Sequence, residues 1–188
     1  MREFILGGQK SGKSRTAESR AARWLLRPGH EAVLIATAQA GDAEMVARIA
    51  RHRAERAERV PGLMTVEEPR RLAEAIRQHA RPHTLVVVDC LTLWLTQLAL
   101  PLEGSPASPE ALARETRALV EALAQASGPA VLVSNEIGLG LSPLSREARA
   151  FVDALGRLHQ DVAAVCEDLT FMVAGCEMPV KRQGATHV

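Results

Sequence analysis

The chain has 188 residues, with 47% hydrophobic and 24% charged side chains and a net charge of +1. These values are typical of a globular protein, and we expect one domain over residues 1–181 followed by a disordered tail over residues 182–188. The near-zero charge, with 3% aromatic residues and no tyrosine, argues against nucleic-acid binding. No apolar segment is long enough to predict a membrane span. Three cysteines without metal-ligand spacing favour a reducing, cytoplasmic compartment.

The chain begins with an apolar run at residues 4–6, followed directly by the motif Gly-x-x-x-x-Gly-Lys-Ser. This spacing is that of a phosphate-binding loop between a strand and a helix. Glycines let main-chain N–H groups approach phosphate oxygens, and the dipole of the next helix adds to the attraction. The motif predicts nucleotide contacts from every residue of the loop: Gly7, Gly8, Gln9, Lys10, Ser11, Gly12, Lys13 and Ser14.

Two side chains of this loop have predicted chemical roles. Lys13 is expected to bind the β- and γ-phosphates as a catalytic cation, and Ser14 is expected to bind Mg²⁺. The alternative is a glycine-rich surface turn without a ligand. The apolar run before the motif and the helical pattern after it favour the nucleotide-binding interpretation.

The remaining sequence alternates short apolar strands with amphipathic helices. Apolar runs bounded by turn residues predict strands at 32–36, 63–66, 84–89, 130–134 and, as the last strand, 169–174. Helical spacing predicts helices at 14–26, 42–59 with Asp42 as its cap, 72 to the Arg-Pro turn at 81–82, 91–100, 109 to the Gly-Pro turn at 128–129, and 146–166. This alternation implies an α/β fold with a mostly parallel sheet flanked by helices. Together with the loop it predicts a P-loop NTPase of the RecA-like type, a three-layer sandwich.

Asp89 ends the clearest buried strand of the sequence. A P-loop protein keeps at this place an acidic residue that holds Mg²⁺ directly or through water. The alternative role is that of a cap for the helix that begins at residue 91, and the two roles are compatible. Ser14 and Asp89 are therefore the predicted metal ligands.

His52 lies on the predicted helix 42–59, at the border of a stripe that Met45, Val46 and Ile49 form and that we expect to be buried. Positively charged neighbours disfavour protonation of the imidazole, and a neutral ring nitrogen beside a nucleotide is a nucleophile for phosphorus. The same neighbours would hold triphosphate oxygens: Arg48, Arg51, Arg53 and Arg56. The alternative is a solvated helix face with ion pairs, on which His52 has no chemical role.

Two other positions lie near the expected site. Asn135 and Glu136 follow a buried strand, at the edge where open α/β sheets bind ligands, and they either line the site or only form its loop. His159 lies near the buried edge of the helix 146–166. Substrate contact and a structural role both fit this position.

Several segments resemble one enzyme family. Besides the phosphate-binding loop, they include Gly41–Arg53 with Asp-x-Glu-Met…Arg-Ile…His, Thr65–Pro69, Val88–Thr92 and Ser134–Gly140 with Asn-Glu-x-Gly-x-Gly. The matching pieces run from residue 3 to about residue 181. By these motifs the chain resembles the bifunctional adenosylcobinamide kinase and adenosylcobinamide-phosphate guanylyltransferase family of cobalamin biosynthesis.

The resemblance implies two reactions. A kinase step phosphorylates the aminopropanol hydroxyl of adenosylcobinamide with ATP or GTP, giving adenosylcobinamide phosphate. A second step transfers GMP from GTP to that phosphate through a guanylylated histidine, which matches His52. The resemblance also implies Mg²⁺, a homotrimer, and nucleotide contacts from Ala36, Thr37, Ala38, Arg53, Ala54, Glu55, Arg56, Glu67 and Asp89.

The chain departs from the family pattern at two places. Residues 56–63 lack a tryptophan that family members commonly carry there, and His159 stands where an asparagine is usual.

Two other functions compete with the family assignment. One alternative is a plain small-molecule kinase without a covalent histidine intermediate. The other is a nucleotide switch or a RecA-like module acting on nucleic acid or proteins. The charge balance and the absence of the guanine-recognising motif Asn-Lys-x-Asp disfavour this second alternative.

Overall fold

The computed structural model describes residues 1–41 and 43–182, so the predicted cap at Asp42 and the predicted tail from residue 183 lie outside the described residues. The described chain contains seven strands: β1 Arg2–Gly7, β2 Glu31–Ala36, β3 Leu63–Glu67, β4 Thr84–Asp89, β5 Ala130–Asn135, β6 Asp168–Val173 and β7 Cys176–Lys181. It also contains six α-helices: α1 Lys13–Leu25, α2 Ala43–Arg59, α3 Leu72–His79, α4 Leu91–Ala99, α5 Pro109–Gln125 and α6 Arg146–Val165.

The strands form one sheet in the order β3-β2-β4-β5-β1-β6-β7. All neighbouring pairs are parallel except β6 and β7. The central strands β4 and β5 are buried on both faces up to their last residue, as expected for continuous apolar runs in a parallel sheet. The predicted α/β fold with a mostly parallel sheet is confirmed.

Helices cover both faces of this sheet. On one face α3, α4, α5 and α6 surround a core that includes Phe4 and the fully buried Trp94. On the other face Ala17 and Ala21 of α1 pack closely against Ile5 and its neighbours. Within the described part of the chain, no helix combines the length and apolar character needed to cross a bilayer. Fewer helices pack on the face that α1 covers, so the carboxyl ends of the central strands are accessible there.

The strand predicted at residues 169–174 is present as β6, but the prediction that it is the last strand was wrong. β6 ends at Val173 and returns through Ala174 and Gly175 into the antiparallel strand β7. Both turn residues have positive φ, 51° and 82°, as a tight two-residue hairpin requires. Nearly all of β7 is exposed and it contains Pro179, which is acceptable only because β7 is an edge strand.

The prediction of a buried stripe on α2 was also wrong. Val46 is 55% exposed, and Met45 and Ile49 face a cavity. Ion pairs instead hold the end of the helix, where Arg56 and Arg59 both contact Glu18 of α1. The contacts that attach the carboxyl-terminal end of α2 are therefore polar, and apolar positions nearer its start face the cavity.

An ion pair at the start of β1 gives the fold a predictable response to acid. Arg2 Nη2 lies 2.6 Å from Glu167 Oε1, and this contact lowers the pKa of Glu167 to about 2. The pair therefore stabilises the protein fully above the ordinary carboxyl pKa, and the stabilisation is lost as pH falls from about 4.5 to about 2. We expect Glu167→Gln to lower the free energy of unfolding at pH 7 by about 1 kcal/mol.

Thermal unfolding measured from pH 7 to pH 2 tests this expectation. The difference in Tm between the wild type and Glu167→Gln should shrink below about pH 4.5. Glu58→Gln, at an exposed position of α2, serves as the control and should follow the wild type. A Tm difference that is constant over the whole range would contradict the assignment.

Candidate active site

The carboxyl ends of β1, β4 and β5 open into a cavity of about 880 Å³. The phosphate-binding loop forms one wall and helix α2 forms another. Ligand sites in proteins typically have volumes of roughly 300–1,000 Å³, so the cavity is large enough for a nucleotide. Its place at the carboxyl edge of a parallel sheet is where α/β folds bind ligands.

Close packing of the main chain fixes the shape of the phosphate-binding loop. A Cβ atom at Gly7 would lie 2.5 Å from the carbonyl oxygen of Met172, so only glycine fits there. Gly12 has φ 102° and precedes α1, a conformation that favours glycine. The N–H of Gly175 donates to Ser11 O at 3.0 Å. The β6–β7 hairpin, which the sequence did not predict, therefore supports the loop.

Lys13 places a buried cation at the cavity. Its side chain donates from Nζ to Gly8 O at 2.6 Å. Burial lowers the pKa of Lys13, while Cys90 and Asp89 act in the opposite direction. Residues 9–14 line the cavity, and Gly8 contributes through this carbonyl. The ammonium group is positioned to exchange its contact with the loop for phosphate oxygens.

Asp89 and Ser14 present two oxygen donors to the same cavity. Burial raises the pKa of Asp89, and the hydroxyl of Ser14 and the charge of Arg56 oppose this effect. Mg²⁺ in nucleotide sites typically binds one or two protein oxygens together with phosphates and water. The pair matches this donor set.

Thr37 is buried beneath the cavity and does not line it. Its Oγ1 donates to Cys90 O at 2.7 Å and accepts from Cys90 N at 2.8 Å. These two bonds hold the residue that follows Asp89 at the start of α4. Of the predicted contacts at residues 36–38, Ala36 and Ala38 line the cavity, and Thr37 positions the chain behind them.

Helix α2 brings His52 to the cavity that contains the phosphate-binding loop. His52 is exposed and lines the cavity with Arg51, Arg53 and Arg56. Its ring is close enough to Asp89 for its charge to lower the pKa of that carboxyl. The structure thus places an imidazole and a phosphate-binding loop on opposite walls of one space.

The other predicted contacts of this region divide into two groups. Glu67 lines the cavity and accepts a hydrogen bond from Arg53 Nη1 at 2.7 Å. Ala54 and Glu55 are exposed, and among the residues that the structure describes they are not part of the cavity lining. Glu55 instead pairs with Arg59 at 3.4 Å.

Glu18 connects α1 to α2 and was not among the residues predicted from the sequence. Glu18 and Arg56 are 4% and 7% exposed, and Arg56 Nε lies 3.3 Å from Glu18 Oε1. Arg59 Nη2 lies 2.8 Å from the other carboxylate oxygen. The sequence contains one signal for this ion pair, because Glu18 lies between Ala17 and Ala21, which are both buried. An acidic side chain on a buried face needs a cationic partner.

Asn135 and His159 have different places around β5. Asn135 lines the cavity. His159 is buried on α6, and its Nε2 lies 2.8 Å from Ser134 Oγ. Since Ser134 and Asn135 are consecutive in a strand, their side chains point to opposite faces. His159 is therefore behind the strand, on the side away from the cavity.

A strand, a glycine-rich loop, a buried lysine at the first turn of a helix and an acidic residue on a neighbouring strand define a P-loop nucleoside-triphosphate-binding protein. Residues 3–180 match the family model described as "Cobinamide kinase / cobinamide phosphate guanyltransferase". The chain belongs to this family, which makes it an enzyme of the kinase and guanylyltransferase classes and confirms the resemblance seen in the sequence.

Three curated relatives align over nearly the whole chain. The bifunctional adenosylcobalamin biosynthesis protein CobP of Pseudomonas aeruginosa is 49% identical over 96% of this chain and 98% of that protein. The corresponding proteins named CobU of Escherichia coli and Salmonella typhimurium are 34% and 32% identical, each over 95% of this chain and 98% of the relative. Among solved structures, the flagellar accessory protein FlaH from Methanocaldococcus jannaschii aligns with a TM-score of 0.49 and 9% identity, over 97% of this chain and 78% of that chain.

Proposed function

We propose that this protein phosphorylates adenosylcobinamide with ATP or GTP and then transfers GMP from GTP to adenosylcobinamide phosphate through a guanylylated His52. Membership of the family supports the two reactions. The observation that supports the covalent route is that His52 lines the same cavity as the phosphate-binding loop. A homotrimer, which the family resemblance implies, and a cytoplasmic location, which the three cysteines favour, are part of the proposal.

In the kinase step, residues of the loop hold the triphosphate for attack by the substrate hydroxyl. Main-chain N–H groups and Lys13 bind the β- and γ-phosphates, and Ser14 and Asp89 would hold Mg²⁺. The ion neutralises part of the phosphate charge when it is bound. Positioning and charge neutralisation supply most of the acceleration in phosphoryl transfer, so the protein needs little other chemistry.

In the transfer step, a ring nitrogen of His52 attacks the α-phosphorus of GTP and pyrophosphate leaves with the electron pair of the broken P–O bond. The phosphate of the corrinoid then attacks the same phosphorus, and the P–N bond breaks to restore the imidazole. The arginines around His52 bind the oxygens whose charge increases during both displacements.

We assign the guanine base to the side of the cavity formed by Glu67, Ala36 and Ala38. A carboxylate accepts hydrogen bonds from both N–H groups on one edge of guanine, which adenine does not present. Glu67 is available for this after exchanging its contact with Arg53, because both partners of that pair are more than half exposed.

The proposed trimer gives a role to an exposed apolar loop. Leu139, Leu141 and Leu144 are 81%, 99% and 98% exposed in the isolated chain. Three exposed leucines in one short loop are the kind of apolar surface that a partner often covers. A neighbouring subunit would cover it, and the mass of the protein in solution tests this part of the proposal.

Mass spectrometry after incubation with GTP and Mg²⁺ tests the covalent intermediate. Cleavage after glutamate releases residues 45–55, a peptide with His52 as its one histidine and without lysine. We expect this peptide to carry one guanylyl group, which acid removes because P–N bonds to imidazole are acid-labile. An unmodified peptide from a protein with active kinase would instead support the plain kinase.

A further inference from the structure

Asn135 lies at the sheet edge between the phosphate-binding loop and Asp89. Strand β5 runs between β1 and β4. Asn135 is in register with Gly7 of β1, and Val133 is in register with Asp89 of β4. The residue therefore stands between the start of the loop and the proposed metal ligand.

The alternation of side chains along β5 directs Asn135 toward α1. Val133 packs on the face of the sheet that Ala17 of α1 covers, and residues two apart in a strand share a face. Asp89 lies on the same face by the same rule, because Val87 packs there. The cavity opens on this face and Asn135 lines it.

The carboxamide of Asn135 is free to bind a ligand. Its main-chain N–H donates to Thr92 Oγ1 at 2.8 Å, whereas no hydrogen bond to its side chain exists among residues 1–41 and 43–182. A carboxamide offers two N–H donors and one carbonyl acceptor. Beside Lys13 it would add neutral donors to a cavity that already contains a cation.

We propose that Asn135 binds the γ-phosphate in the kinase step, and that Thr92, Ser134 and His159 position it. This inference rests on the proposed function, because it takes the triphosphate to lie on the loop. In the step, the substrate oxygen bonds to the γ-phosphorus while the bond to the β–γ bridging oxygen breaks. The electron pair leaves with the nucleoside diphosphate and the hydroxyl proton passes to water. The N–H groups of Asn135 donate to equatorial γ-oxygens during this transfer.

The hydrogen bonds behind Asn135 form a continuous chain, to which we assign one direction. Thr92 Oγ1 accepts from the N–H of Asn135 and lies 2.9 Å from Ser134 Oγ, and in the proposed arrangement Thr92 donates its proton to Ser134. Ser134 then donates to His159 Nε2 at 2.8 Å. This leaves the ring proton of His159 on Nδ1, which faces Glu136 Oε2 at 3.8 Å.

Burial supports this arrangement. Thr92, Ser134 and His159 are all buried, and burial lowers the pKa of His159 against the opposing charge of Glu136. A neutral ring with an unprotonated Nε2 is the form that accepts from Ser134. Buried polar chains that are fully hydrogen-bonded hold their members in one arrangement, so His159 acts as a positioning residue for Asn135.

Nucleotide binding and kinase kinetics of Asn135→Ala test the contact with the γ-phosphate. We expect affinity for a non-hydrolysable GTP analogue to fall about tenfold, affinity for GDP to change less than about twofold, and the kinase kcat to fall about 10²-fold. Asn135→Asp keeps the shape but adds a negative charge, and it should weaken binding of the analogue more than alanine does. Equal losses for GDP and the analogue, or an unchanged kcat, would overturn the proposal.

A matched pair of variants at His159 tests the positioning role. In His159→Gln the carboxamide oxygen of the new side chain reaches the place of Nε2 and accepts from Ser134, whereas His159→Leu offers no acceptor. We expect His159→Leu to lower the kinase kcat about tenfold with little change in KM, and His159→Gln to retain most activity. Equal kcat values in the two folded variants would overturn this role. A missing guanylyl group on His52 would refute the covalent route without affecting either measurement, since neither depends on the α-phosphorus.

Discussion

Replacing His52 by asparagine should reduce GMP transfer by at least about 10³-fold while phosphorylation of adenosylcobinamide continues. Asparagine keeps a polar side chain of similar reach on α2 but has no nucleophilic ring nitrogen. The two reactions would therefore separate, because only transfer passes through the imidazole. Pyrophosphate release with GTP and adenosylcobinamide phosphate reports transfer, and formation of the phosphorylated corrinoid reports the kinase.

A control at another histidine and the stereochemistry at phosphorus complete this test. His79→Asn changes a histidine at the end of α3, outside the residues that line the cavity, and should keep both activities. Two successive in-line displacements retain the configuration at phosphorus, whereas one direct displacement inverts it. Inversion with a chiral α-thio analogue of GTP, or normal transfer by the asparagine variant, would show that the corrinoid phosphate attacks GTP directly.

The sequence predicted an element well where its run of apolar residues is also buried in the structure. The predicted strand 84–89 agrees with β4 to the residue, because a fully buried strand must be continuously apolar and ends where the chain turns polar. α2 shows the limit of this reasoning. Its apolar positions Met45 and Ile49 face a cavity, and a spacing of three and four residues is the same whether the stripe faces a core or a ligand site.

The strand β7 was missed for a different reason. An exposed edge strand has no need of alternating apolar residues, so its sequence carries little signal. Its signal lay in the turn before it, where Gly175 takes a positive φ. The consequence is functional, because the same turn supports Ser11 of the phosphate-binding loop.

The site was predictable as far as its chemistry depends on local spacing. Residues 9–14 line the cavity as the motif requires, since phosphate binding by main-chain N–H groups fixes the order of residue types. Contacts between distant segments had no such signal. Thr37 bonds to Cys90 across 53 residues, and Glu18 meets Arg56 across 38. Such pairs follow from the strand order, which the sequence alone did not determine.

Removing the carboxylate of Glu18 should cost about 3–5 kcal/mol of stability, because Arg56 would remain as a buried charge without its partner. Glu18→Ala should also free the end of α2, since Arg59 is held by the same carboxylate. Urea unfolding measures the first effect, and hydrogen exchange of the α2 amides measures the second. Glu55→Ala removes only the exposed contact to Arg59 and should cost less than about 0.5 kcal/mol.

A double variant separates the two roles of Arg56, which pairs with Glu18 and also lines the cavity. Replacing both members of a buried ion pair by apolar residues is often neutral for stability. Glu18→Leu with Arg56→Leu should therefore recover most of the stability lost in Glu18→Ala. GMP transfer by this double variant should be lower than that of the wild type, because no guanidinium at this position would bind the triphosphate. If the double variant recovers stability and also transfers GMP like the wild type, Arg56 only anchors α2. If Glu18→Ala is as stable as Glu55→Ala, the contact that anchors α2 lies elsewhere.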